Sequence, residues 1–124
     1  MSRLNMSTRR TDSVVVLDLD GRITLGAGST TLRDSVGALL DAGDRKILLN
    51  LARVSYMDSS GVGELVSAFT KVRRQGGELK LINLGANVHG LLEMTKLVTV
   101  FETFDSEAEA LQSFASASQA SPAT

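Results

Sequence analysis

Two serine hydroxyls stand side by side at Ser59 and Ser60, between Asp58 and Gly61, with Gly63 two residues further on. A hydroxyl in such a place can act as a nucleophile, accept a phosphoryl group, or simply cap a helix. Nucleophilic attack needs a base, and His89 is the only histidine in the chain. The serines also lack the Gly-x-Ser-x-Gly setting of a nucleophile elbow. A phosphate-cradling loop would continue into Gly-Lys-Ser/Thr, yet no lysine lies between Met57 and Gly63. Capping and covalent modification are left. A Ser-Ser-Gly step before a helix is most often a cap, because a side-chain oxygen there satisfies a free backbone N–H. Phosphorylation at the same place would add about −1.5 to −2 charges where the helix dipole tolerates them, and Asp58 would make the modified loop strongly anionic.

A second set of carboxylates lies in Leu17-Asp18-Leu19-Asp20-Gly21, which resembles the first motif of the haloacid dehalogenase-like phosphatases. There the first aspartate is the nucleophile and the second an acid/base. Arg22 stands where that motif has threonine, and no later paired-aspartate magnesium motif follows. A lone short motif has a high false-positive rate, so this reading is set aside. No cluster with metal-ligand spacing is present, and no cofactor is expected.

The elements that would position these residues follow from apolar periodicity. Residues 14–19 form a β-branched run ending at Asp20-Gly21, a hairpin dipeptide, and 22–25 read as its return strand. Leu32, Val36, Leu39 and Leu40 share one helical face that ends near Gly43. Residues 46–51 read as a buried strand leading into the serine step. Val62, Leu65, Val66, Phe69 and Val72 then recur at helical spacing as far as Gln75. A strand over 79–84, a short helix capped by Asn87, a last strand over 98–101 and a helix opened by Ser106-Glu107-Ala108-Glu109 complete the series. This order predicts an α/β fold: an N-terminal hairpin, then alternating strands and helices, in a mixed sheet whose later strands are parallel with helices as crossovers. In such sheets the loops after the strands bear the function, and the serine step is one of them.

Gly61 and Gly63 each cost the helix about 1 kcal/mol relative to alanine. Two accounts are open: tight packing of the helix start against the sheet, or a bare backbone that lets a partner approach.

At 124 residues the chain is one domain able to bury a core without staples. It has no cysteine, so disulfides and thiolate chemistry are excluded. Thirteen basic against fourteen acidic residues give no reason to expect nucleic acid as a partner. No apolar run is long enough to span a bilayer, so no membrane insertion is expected and a cytoplasmic location is the default. Residues 1–12 are expected to be flexible, 13–114 to form the domain, and 115–124 to be a disordered Ala/Ser-rich tail.

The run Ile47-Leu48-Leu49-Asn50-Leu51, followed by Val54-Ser55-Tyr56-Met57-Asp58-Ser59-Ser60-Gly61-Val62-Gly63, resembles the signature of the STAS domain. That name covers sulfate transporters and anti-sigma factor antagonists. Gly21-Arg22-Ile23-Thr24 and Gly76-Gly77-Glu78-Leu79-Lys80-Leu81-Ile82-Asn83-Leu84 are similar to other parts of the family's pattern, so the match spans most of the chain. The resemblance implies a binding module that catalyses nothing, an anti-sigma factor antagonist. Its partners would be an anti-sigma factor with serine kinase activity and a serine phosphatase that resets the switch. Carried over, Ser59 is the phosphoacceptor, Asp58 its acidic neighbour and Ser60 the structural cap. Asp58, Ser59, Ser60, Gly61, Gly63 and Thr24 form the partner surface. Thr24 stands where the family usually has an aspartate. The implied state is a monomer or weak dimer. The alternative is a constitutive STAS adaptor subunit of a signalling scaffold or lipid-transport complex.

Overall fold

The computed structural model describes residues 4–120. Nine elements follow one another: β1 (Asn5–Thr11), β2 (Val14–Ile23), α1 (Ala27–Asp41), β3 (Lys46–Met57), α2 (Ser59–Arg74), β4 (Glu78–Ile82), α3 (Ala86–Met94), β5 (Thr103–Phe104) and α4 (Glu107–Ala120). The strands lie in sequential order in one five-stranded sheet. β1 and β2 are antiparallel, and every later pair is parallel. The expected α/β class and mixed sheet are therefore found.

Side chains of β2 and β3 alternate between two apolar layers. Leu17, Leu19, Ile47, Leu49 and Leu51 face the larger core under α1, α2 and α3. Val14, Val16, Leu48 and Ile82 face a smaller core closed by Ala110 and Phe114 of α4. Burial on both faces explains why these strands read as continuous apolar runs.

Four expectations about elements need correction. The hairpin is β1–β2, turned at Asp12, whose φ is 54°. Residues 1–12 are thus mostly strand, and only residues 1–3 lie outside the described chain. Asp20-Gly21 is no hairpin turn: β2 runs through it, and the register against β3 shifts between Asp18 and Asp20 and again between Gly21 and Arg22. Gly21, with φ 130°, supplies at this irregularity the freedom that a turn would also have used. The last strand is Thr103–Phe104, while Phe101 of the expected strand is buried in an edge-to-face contact with Phe69. Finally, α4 continues through Ala120, so residues 115–120, expected in a disordered tail, are helical; residues 121–124 lie outside the described chain.

α4 starts as its sequence predicts, with Ser106 Oγ accepting from the Glu109 N–H at 3.0 Å. Beneath it Lys80 is 2 % exposed, yet its ammonium is satisfied on every side. It pairs with Glu78 at 3.5 Å and Glu102 at 3.4 Å, donates to Ser113 Oγ, and lies 4.6 Å above the Phe114 ring.

Candidate functional site

β2, β3 and β4 all end at one rim of the sheet, where α1, α2 and α3 begin. Within that rim the serine step is held from both sides. Ile23, at the end of β2, accepts from the Asp58 N–H at 3.4 Å, and Ser55 Oγ donates to the Gly21 carbonyl at 3.2 Å. From the other side the Met57 N–H donates to Asn87 Oδ1 at 2.9 Å. Asn87 was expected to cap its own helix. Gly85 takes that position, and the Asn87 side chain instead steadies the strand leading to the serines. No spacing rule links residues 57 and 87; only the packing of α3 against β3 does.

Capping of α2 also differs from expectation. Asp58 is the N-cap, its Oδ1 accepting from the Gly61 N–H at 3.1 Å, with extended backbone (φ −107°, ψ −174°). Ser60, expected in that role, is instead the second helical residue and half-buried. Ser59 is the first helical residue, exposed, and its hydroxyl bonds to no other described residue. An aspartate suits the cap better here because its charge also meets the positive end of the helix dipole. The structure thus places Asp58, Ser59, Ser60, Gly61 and Gly63 in a single turn and a half. Thr24, half-buried directly after Ile23, reaches the same rim, since Ile23 pairs in register with Met57.

The two glycines separate cleanly. A Cβ on Gly61 would overlap the Ile23 carbonyl oxygen and come within 2.5 Å of Met57 Cγ. Gly61 is therefore a packing requirement. A Cβ on Gly63 would meet nothing within 4 Å, and the residue is exposed. Its cost to the helix has no return in packing.

Around the step, Leu25 is 79 % exposed and Tyr56 41 %, with the Arg22 guanidinium 4.9 Å from the Tyr56 ring centre. Across the α1–α2 seam, Arg33 holds Glu64 through Nη2 at 2.6 Å and Nε at 3.3 Å. Sequence reasoning found neither the Arg22–Tyr56 nor the Arg33–Glu64 contact, because each depends on a neighbour brought in by the fold.

Asp18 and Asp20 lie on the other face of the sheet. Arg9 grips both oxygens of Asp18, at 2.5 and 2.9 Å, and also reaches Glu107 of α4 at 2.7 Å. Asn50 Nδ2 donates to Asp18 Oδ1 at 2.7 Å, and Asn83 Nδ2 to Asn50 Oδ1 at 3.0 Å. The Arg9 hydrogen bond holds the Asp18 carboxyl below the usual carboxylate range, with Asn50 adding to the effect against partial burial. Asp18 thus serves as a junction of β1, β2, β3 and α4 rather than as a free nucleophile. Asp20 is exposed beside Arg53 at 3.4 Å. His89 lies on the surface of α3, 3.6 Å from Glu93. Among the described residues no helix is long and apolar enough to cross a membrane.

The sequence profile of the STAS domain matches residues 5–110. An anti-sigma-B factor antagonist of Bacillus subtilis (strain 168) is 32% identical over 100 residues, which is 80% of this chain and 89% of that protein. The structure of an anti-sigma factor antagonist from Mycobacterium paratuberculosis superposes with a TM-score of 0.79 at 19% identity, covering 89% of this chain and 92% of that one. The Bacillus cell fate determinant SpoIIAA in its phosphorylated form superposes at 0.69 and 22% identity, over 89% of this chain and 99% of that one. At these identities the two structures speak for the fold alone.

Proposed function

Because the chain belongs to the STAS domain family, we propose that it is an anti-sigma factor antagonist whose binding is switched off by phosphorylation of Ser59. The antagonist function has its support in relatives that bear that name over most of their length. SpoIIAA, a protein of the same fold, has been solved both unphosphorylated and phosphorylated. The observation on which the switch rests is local: Ser59 is exposed and without a bond among the described residues, while Asp58 has already taken over the capping of α2. The fold does not use the Ser59 hydroxyl, so its modification leaves the helix start intact.

A phosphate on Ser59 would stand at the first turn of α2, where backbone N–H groups and the dipole favour an anion. It would also stand beside the Asp58 carboxylate, so the rim changes from nearly neutral to strongly negative. A partner surface fitted to a neutral hydroxyl then meets repulsion and a charge it must desolvate. About 2.7 kcal/mol lost at the interface already lowers affinity a hundredfold. On this reading the chain is a cytoplasmic binding protein with no reaction of its own. Its partners are an anti-sigma factor that is also the kinase, and a phosphatase that resets it. Thr24, Ser60 and Gly63 belong to the contact surface, while Asp58 and Gly61 build it.

The test is phosphorylation by the purified kinase followed by site mapping and titration. Phosphate on Ser59 together with weakened binding supports the switch. Phosphate on another residue, or equal affinity in both states, refutes it.

A further inference from the structure

Five of the twelve described lysines and arginines, Arg9, Arg10, Arg33, Arg53 and Lys80, form an ion pair with a carboxylate. The last turn of α2 gathers three that do not. Lys71, Arg73 and Arg74 have no acidic partner among the described residues, although Arg73 lies 5.8 Å from the Phe69 ring centre. Cations at a helix C-terminus complement its dipole. That does not account for the concavity of about 560 Å³ beside them, lined by Val66, Ser67, Thr70, Lys71, Arg74 and Gln75.

One helical stripe joins this end to the serine. Ser59, Gly63, Val66, Thr70 and Arg74 recur at three- and four-residue spacing, and all but half-buried Val66 are exposed. At 1.5 Å per residue the stripe is about 22 Å long. It contains no acidic residue, and Gly63 is open space on its surface.

We propose that this outer face of α2 is the docking track for an amphipathic helix of the anti-sigma factor, with its apolar face over Gly63 and Val66 and its acidic residues against Lys71 and Arg74. The proposal rests on the antagonist function set out above and adds how the partner is recognised. The bare backbone at Gly63 gives close approach, and the unmatched cations give charge complementarity. Control and attraction then sit at opposite ends of the track. Phosphate at Ser59 sets a charge that the partner's apolar face must desolvate at one end, while the cations at the other end steer it regardless of the state of the serine.

The experiment titrates purified anti-sigma factors of the source organism with wild-type protein, Gly63→Leu, the double variant Lys71→Glu/Arg74→Glu, and Ser59→Asp, at low and high salt. Arg53→Gln, on the opposite sheet face, is the control. Gly63→Leu is expected to bind at least tenfold more weakly with an unchanged or higher Tm, since nothing lies within 4 Å of the new side chain's Cβ. The double reversal is expected to lose at least tenfold at low salt and most of the salt dependence, with Arg53→Gln binding like wild type. If both track variants bind like wild type while Ser59→Asp does not, the track is overturned and the antagonist function stands. If the wild-type protein binds no anti-sigma factor, both are overturned. If the double reversal changes self-association instead of partner binding, the occupant is a second copy and the proposal is likewise overturned.

Discussion

Asp18 and Asp58 each sit in a short glycine-ended motif that suggests chemistry, and the fold treats them in opposite ways. Asp18 is bonded by Arg9 and Asn50, and through Arg9 it is tied to Glu107 of a distant helix. Both oxygens of Asp18 are engaged by these bonds. Asp58 is also used, as the cap of α2, but its use leaves the neighbouring Ser59 hydroxyl unengaged and at the surface. The lesson is that chemistry-bearing residue types mark a functional site only when folding leaves some of their bonding capacity unused. Gly61 and Gly63 repeat the contrast two residues apart, one filled against and one open.

Three substitutions sharpen this comparison. Gly61→Ala drives a methyl into the Ile23 carbonyl and the Met57 side chain, and is expected to destabilise by about 2–3 kcal/mol in denaturant unfolding. Asp18→Asn keeps the shape of the junction but removes its charge. A loss of about 1 kcal/mol is expected, with binding to the anti-sigma factor unchanged by titration. Gly63→Ala relieves the glycine penalty without a clash, so a gain of up to about 1 kcal/mol is expected. A destabilised Gly63→Ala would erase the distinction between the two glycines.

The Asp18 junction also sets a pH dependence. Arg9 lowers the Asp18 pKa and Arg10 lowers that of Asp44, each through a side-chain hydrogen bond. A depressed carboxyl contributes its stability fully above its unfolded value, about 3.9, and loses it as pH falls through the lower folded value. Stability is therefore expected to be flat near neutrality with respect to these groups and to fall below about pH 4. The fall should be shallower in Asp18→Asn, as measured by Tm across an acid series.

Much of this was readable from the residues. The run 46–51, the face of Leu32, Val36 and Leu40, and the capping serine at 106 each gave an element that is present, because apolar periodicity and caps are local. The Asp20-Gly21 dipeptide misled because a positive φ serves a strand irregularity as well as a turn. β1 was missed because its edge position leaves most of Asn5–Thr11 exposed, without the apolar alternation of a half-buried strand. At the site, the place of Ser59 at the helix start was legible but the identity of the cap was not. Asp58 rather than Ser60 takes it, a choice between two good capping residues that composition alone does not make. Asn87, Arg33 and Arg22 were invisible, since each acts on a residue about thirty positions away.

The central claim is that the charge on one hydroxyl decides whether the partner binds. Calorimetric titration of the purified anti-sigma factor with wild-type protein, Ser59→Ala and Ser59→Asp tests it most directly. The expected result is equal affinity for the first two and a loss of about a hundredfold for Ser59→Asp, with all three equally stable. Equal affinity across the three proteins would contradict it.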